Sequence, residues 1–485
     1  VDAPLPTEIA APTLEDPVVR GASYAFGGPL GRHALLGSSW WTPIRVLIVF
    51  VLAASGLMYA QKLPCRNAAW SNGFQYSHVC YTDIFPLYYS EGLAQGKRPY
   101  LDAHPDANGK PTYVEYPVLI GATMQVTASL AKHPITPKST PGQRFLDANW
   151  FILAIAALIT VVATALTNRR RPWDAAMVAL APGLILAGLI NWDLIAVAFS
   201  ALAFYAWSRR HPAIAGLLFG LGIATKFYPI IFFLPLFLLC LRAKRLGAFF
   251  ACLGGAAFSW ALVDVPIWLK SPEGFATFYR FNAERGPDWG SIWYAIEQIR
   301  GIGYTTRQVN LVEAVATVVV VLIVAVIAFS TPRRPRLASL AFVTLALFLL
   351  VNKVYSPQYV LWLLPLAVLA RPRWPSFLVW QFGEVLYFLA IWLYLLNVER
   401  PGKGLEWQPY LVGLAIRDLA VLFLCVLVTV EMFKPERDIV RRDGSDDPAG
   451  GVLDGAPDWL APRSTVAAQP AVPAGAAAEF RLAPG

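Results

Sequence analysis

Short clusters of arginine and lysine recur along this chain at the ends of paired apolar segments, and that alternation restricts the fold more than any single motif. The clusters are Arg169-Arg170-Arg171, Arg209-Arg210, Arg242 with Lys244-Arg245, Arg333-Arg334 with Arg336, Arg371 with Arg373, and Lys434 with Arg437. Between consecutive clusters lie two apolar segments: 175–190 with 191–208, 212–225 with 227–241, 246–263 with 311–330, 337–351 with 358–370, and 376–396 with 410–431. Most are close to the length that crosses a bilayer. Basic clusters mark the cytoplasmic side of a membrane protein, so each pair reads as a hairpin that leaves and returns. Composition agrees, with 56% hydrophobic and only 15% charged residues and a mean hydropathy of +0.50; a soluble domain carries about 25% charged residues. The fold class expected is all-α and polytopic. The net charge of +9 falls in clusters between apolar segments, which excludes a nucleic-acid footprint.

Before the first cluster lie three apolar stretches: 44–60, 116–131 and 145–166. The middle one is short, Thr-rich and flanked by Lys132, His133 and Lys138, so it is expected to re-enter or lie along the surface. A full crossing would carry the triple-arginine cluster outside, against the charge rule. About 12 spans follow, with both termini inside. The domain reading is a disordered cytoplasmic segment 1–38, a transmembrane domain 39–433 with extracytoplasmic loops 61–144 and 264–310, and a disordered Ala-, Pro- and Gly-rich tail 434–485. The first residues lack a basic region followed by an apolar core, so no cleavable signal peptide is expected. Cys65 and Cys80 share the polar stretch after the first span and are placed to pair if it is extracytoplasmic.

That stretch, Ser77 to Pro117, is far more polar than its flanks and carries Asp83 among Tyr81, Phe85, Pro86 and Tyr88. A carboxylate held among aromatic rings at a membrane surface suits proton transfer on an amphiphilic substrate. It equally suits the N-cap of a short helix over 84–93. The other outward tips supply Asn191-Trp192-Asp193, Lys226 with Tyr228, and Lys353 with Tyr355 and Gln358; the long loop supplies Arg280, Glu284, Arg285 and Asp288. Lysines at span ends also snorkel to headgroups, and Asp193 also suits a helix cap. Convergence on one side of the membrane is what favours a site. No Cys/His spacing for a metal is present.

The arrangement resembles the GT-C glycosyltransferases, and most of all glycosyltransferase family 87, which includes actinobacterial polyprenyl-phosphomannose-dependent mannosyltransferases. The resemblance rests on YTDIFPLYYSEGLAQGKRPYLD closing with YVEYPVL, on INWDLIAVAF through GIATKFYPIIFFLPLF, and on KVYSPQYVLWLLPL. It implies a GT-C fold with short extracytoplasmic interfacial helices. It also implies transfer of a hexose, mannose in the typical enzymes, from a polyprenyl-phosphate donor to a glycolipid or polysaccharide at the outer face of a bacterial plasma membrane. By position Asp83 matches the catalytic base. Lys226, Lys353 and Arg285 would hold the donor phosphate. Tyr81, Tyr88, Glu115, Tyr116, Asn191, Asp193, Tyr228, Tyr355 and Gln358 would contact sugar or lipid. Many GT-C enzymes pair two acids in the first loop; here Tyr81-Thr82-Asp83 supplies one, so an inverting reaction without metal or other cofactor is expected. The rival readings are a transporter or flippase of a lipid-linked sugar, and a non-catalytic scaffold.

Overall fold

The computed structural model describes residues 16–27, 40–68, 70–106, 108–133, 139–442 and 444–461. Among the described residues the chain is a helical bundle, with a two-residue antiparallel pairing of His104–Pro105 with Pro111–Thr112 as the strand structure. Six helices among the described residues are long and apolar enough to cross a membrane: Pro43–Ala68, Pro141–Thr167, Leu246–Lys270, Thr306–Ser330, Trp374–Glu399 and Trp407–Phe433. Six shorter apolar helices join them: Val118–Ala131, Asp193–Ser208, Pro212–Thr225, Tyr228–Arg242, Leu337–Val351 and Pro357–Ala370. The chain is a multi-pass membrane protein.

Two local features explain how the helices meet. Pro212–Thr225 carries Gly216 and Gly220 four residues apart, facing Leu246–Lys270. A Cβ on Gly216 would sit 1.9 Å from the Cys252 carbonyl oxygen, and one on Gly220 would sit 2.3 Å from that of Ala256. Small residues let the two backbones touch, which is how helices associate where no water drives them together. The stretch expected as one span over 175–190 is instead broken into Pro172–Ala175, Ala176–Ala179 and Pro182–Ala187. Pro182 has no N–H and forces Ala181 into an extended conformation (ψ 126°), which ends the helix. Backbone groups freed at membrane depth need partners. The Gly183 N–H donates to the buried Gln381 side chain at 2.9 Å, and the Leu189 and Ile190 carbonyls accept from the loop that carries Asp83.

The loop expected over 264–310 is shorter than its bounds, because Leu246–Lys270 runs on through Pro266 and Thr306–Ser330 starts early. Between them lie two amphipathic helices, Pro272–Glu284 and Ile292–Arg300. The stretch 116–131 is a helix from Val118 to Ala131 packed on Pro141–Thr167 and Pro212–Thr225.

The expectation of disordered ends needs correction. Residues 16–27 form the helix Pro17–Gly27, anchored where the Trp374 N–H donates to Asp16 at 2.9 Å. Residues 434–442 and 444–461 fold across the arginine-bearing ends of the bundle. Asp438 takes Arg336 at 2.7 Å, Asp446 takes Arg334 at 2.7 Å, and Asp458 takes Arg242 at 2.6 Å, with all three arginines buried. The composition of the tail hid this, because its order comes from ion pairs with distant arginines and not from apolar periodicity. The remaining parts of both segments, 1–15, 28–39, 443 and 462–485, lie outside the described residues, as does Lys138.

Candidate active site

Asp83 is fixed by a short segment that is tied down at nearly every residue. The Gln61 side-chain amide donates to the Val79 carbonyl, Cys65 and Cys80 form a disulfide, and the buried Lys62 ammonium donates to the Tyr81 carbonyl at 2.6 Å. The Thr82 hydroxyl donates to the Leu189 carbonyl at 2.7 Å, and the Asp83 N–H donates to that of Ile190 at 2.8 Å. The broken helix thus provides the acceptors on which the acid is seated. Asp83 stands at the N-cap position of the helix Ile84–Ser90, yet its side chain makes no cap bond. The Thr82 hydroxyl accepts from the Ile84 N–H instead, at 3.2 Å. Both carboxylate oxygens of Asp83 turn elsewhere: Oδ1 accepts from the Tyr81 hydroxyl at 2.7 Å and Oδ2 from the Asn191 amide at 2.8 Å.

Asn191 also donates to the Tyr116 hydroxyl at 2.9 Å. The Lys226 ammonium lies 5.0 Å from the centre of the Tyr116 ring and 3.6 Å from Asp193 Oδ2. Asp193 is fully buried and its Oδ1 accepts from the Trp362 indole at 2.7 Å. Lys226 therefore shares its charge with a neighbour before any ligand arrives.

A second group of cations is held by two cross-linked segments. The Asp288 N–H donates to the Lys353 carbonyl at 2.7 Å, the Ser356 hydroxyl donates to Asp288 Oδ2 at 3.2 Å, and Arg285 donates to Asp288 Oδ1 at 3.2 Å. The Lys353 ammonium donates to the Asn310 side-chain oxygen. Beneath both segments the buried Arg417 donates to the Gly290 carbonyl at 2.6 Å and to the Tyr355 carbonyl at 3.1 Å. Its guanidinium lies 3.7 Å from the centre of the Tyr355 ring and 4.0 Å from that of Tyr387.

These groups surround one cavity of about 1100 Å³, large enough for a sugar and its neighbours. Asp83, Lys226, Arg285 and Lys353 all line it, as do Tyr81, Glu115, Tyr116, Asn191, Tyr228 and Gln358. Three expected contact residues lie outside its lining. Tyr88 is buried against Phe145, Asp193 sits behind Lys226, and Tyr355 is stacked on Arg417. Lys62, Tyr76, Trp392 and Arg417 were not singled out in the sequence. For Arg417 a signal existed, since a charge inside an apolar run marks a site that needs partners.

The electrostatics follow from enclosure. The neighbouring Asp83 carboxylate, with burial second, holds the Tyr81 phenol well above its ordinary value, so it remains a donor to Asp83. Burial pushes Glu115 up to about 7, with Arg285 pulling it down and Asp83 adding to the rise. Lys353 is lowered by burial, with Glu313 opposing and Arg285 reinforcing. Among the described residues no three His, Cys, Asp or Glu side chains gather where they could hold a metal ion.

Residues 144–352 match the model of glycosyltransferase family 87. A search of curated proteins gives no match. Among solved structures, the fold is similar to that of an oligosaccharyltransferase of Archaeoglobus fulgidus in its apo form, at 10% identity and a TM-score of 0.37. That comparison covers 82% of this chain and 56% of the archaeal one, so the chain spans little more than half the length of that structure. The family match contains Asn191, Lys226 and Arg285 and stops one residue before Lys353.

Proposed function

We propose that this membrane glycosyltransferase moves a hexose, mannose by the family resemblance, from a polyprenyl-phosphate donor to a glycolipid or polysaccharide hydroxyl. The reaction takes place at the outer face of a bacterial plasma membrane, with both termini inside. The observation that carries the reading is the shared cavity: Asp83 and the cations Arg285 and Lys353 line the same 1100 Å³ space although they come from three distant segments.

In this reading the Asp83 carboxylate takes the proton of the acceptor hydroxyl as its oxygen attacks the anomeric carbon. The bond from that carbon to the phosphate oxygen breaks, and the polyprenyl phosphate leaves with the electron pair. A single displacement inverts the anomeric centre, so a β-phosphoryl sugar gives an α-linkage. Arg285 and Lys353 meet the negative charge of the leaving group with charge-assisted hydrogen bonds. Lys226 and Arg285 are each partly offset by a carboxylate before the donor arrives, Asp193 at 3.6 Å and Asp288 at 3.2 Å. Glu115, neutral below about pH 7, donates to a sugar hydroxyl. Apolar residues of the same lining, including Ile230, Ile231 and Phe348, receive the first isoprene units.

Transfer of labelled sugar from a polyprenyl-phosphate donor in membranes carrying the protein tests the reading. Wild type transfers; Asp83→Asn, which keeps the shape and one of the two acceptor oxygens but not basicity, loses transfer by about 10²- to 10⁴-fold, the usual worth of a general base.

A further inference from the structure

One wall of the cavity has no part in the chemistry described above. It is the outer end of the helix Trp374–Glu399, where Ile391, Trp392, Leu395, Val398 and Glu399 recur at helical spacing along the lining. The Trp392 ring lies 4.4 Å from the Tyr81 ring, with 25° between their planes. Tyr76 lies 5.7 Å from Tyr81 at 13° and 6.2 Å from Trp392 at 14°. The three near-parallel rings stack on one another with offset and make one aromatic cluster at the edge of the cavity. All three line the cavity.

Two polar features mark this surface as more than core packing. Trp392 is 3% exposed, and its indole N–H has no hydrogen-bond partner among the described residues. A buried indole ordinarily finds an acceptor, so the position calls for one supplied from the cavity. Glu399, two turns further out, adds a carboxylate whose Oε2 lies 3.4 Å from the Gln75 amide. Apolar ring faces, one unused donor and one outlying acceptor match a pyranose. Its C–H face is apolar, and its equatorial hydroxyls are both donors and acceptors.

We propose that the Tyr76–Tyr81–Trp392 surface is the acceptor subsite and that its occupant is a pyranose ring of a carbohydrate acceptor. An acceptor hydroxyl oxygen takes the Trp392 indole N–H, and a more distant hydroxyl donates to Glu399. The assignment to acceptor and not donor rests on the reading of Asp83 as base. Tyr81 is at once part of the aromatic surface and the donor to Asp83 Oδ1, so a ring seated there is presented to the carboxylate. The phosphate-binding cations Arg285 and Lys353 belong to other segments.

The test is binding, measured without transfer. Saturation-transfer NMR on the full chain in detergent would use methyl α-mannopyranoside and methyl α-glucopyranoside as probes, glycerol as an open-chain polyol, and farnesyl phosphate as a sugar-free polyprenyl phosphate. The ring protons of a glycoside are expected to receive saturation in wild type, and glycerol is not. Trp392→Ala is expected to reduce the signal at least fivefold. Trp392→Phe, which keeps the stacked ring and removes only the N–H, is expected to weaken binding about three- to tenfold, with elution and thermal midpoint unchanged. Glycosides that show no saturation transfer to wild type, or equal transfer to wild type and Trp392→Ala, would overturn the subsite. Displacement of the glycoside by farnesyl phosphate would also overturn it and give the wall to the donor lipid. If sugar transfer from polyprenyl donors proved absent while glycoside binding still depended on Trp392, the transferase reading would fall and the carbohydrate site would stand.

Discussion

The Asn191 side-chain amide lies 2.8 Å from Asp83 Oδ2, joining the loop after the first long helix to the tip that follows the broken helix, 108 residues on. The same amide reaches the Tyr116 hydroxyl at 2.9 Å, so a single residue orients both the acid and an aromatic group of the cavity wall. Hydrogen bonds to a charged group are worth about 1.5–3 kcal/mol. Asn191→Ala is therefore expected to lower kcat by roughly 10- to 100-fold with little change in donor KM. An unchanged kcat would show that Asp83 is oriented by Tyr81 and the backbone alone.

Arg417 gives a second prediction at longer range. It touches neither Lys353 nor Arg285, but it donates to Gly290 and Tyr355 beneath the two segments that carry them. A lysine has no planar fork to span two carbonyls. Arg417→Lys is expected to raise donor KM at least fivefold while acceptor KM stays within twofold. Equal effects on both would mark a general loss of packing instead.

Much of this could be read from the sequence. The positions of the helices follow from apolar length and basic clusters, and the tips bearing Asp83, Lys226 and Lys353 line one cavity. What was not legible depended on tertiary partners. Pro182 signalled a break, but nothing local showed that the freed carbonyls of Leu189 and Ile190 would seat Thr82 and Asp83. Asp193 and Tyr355 look like neighbours of their tips in sequence, yet each turns inward, toward Trp362 and Arg417. Trp392 sits mid-helix in an apolar run, where an aromatic residue reads as ordinary packing. The C-terminal tail is polar and Pro-rich, and its order is visible only once Arg242, Arg334 and Arg336 are seen to need counter-charges.

Those counter-charges are open to direct test. Asp438 pairs with Arg336, and both are nearly inaccessible to solvent. Removing one member of a buried pair costs about 3–5 kcal/mol, whereas replacing both by apolar groups is often neutral. Asp438→Ala is expected to lower the thermal midpoint of the detergent-solubilised protein by several degrees. The double variant Arg336→Met with Asp438→Leu is expected to recover most of the loss. A wild-type midpoint for Asp438→Ala would show that the 434–461 segment does not brace the bundle.

The pH profile should report Glu115. Burial raises this carboxyl to about 7, well above its usual ~4.3, so the folded protein holds the proton in the window between those values. The group's hydrogen-bond donation is present below about 7 and fades as pH rises through it. Its contribution to stability likewise falls as pH climbs from about 4.3 to 7. Wild-type kcat/KM is expected to decline severalfold between pH 6.5 and 8, and Glu115→Gln, which keeps a donor at every pH, is expected to be flat there. An identical decline in both proteins would assign the titration to another group, with Lys353, lowered by burial, the first to examine.

The central claim is that Asp83 is the base of a sugar transfer from a polyprenyl phosphate. Single-turnover transfer with a radiolabelled donor, comparing wild type with Asp83→Asn at saturating donor, addresses it most directly. The account predicts unchanged donor binding and a fall of at least 10²-fold in the rate of product formation. Transfer by Asp83→Asn at more than a tenth of the wild-type rate would contradict it.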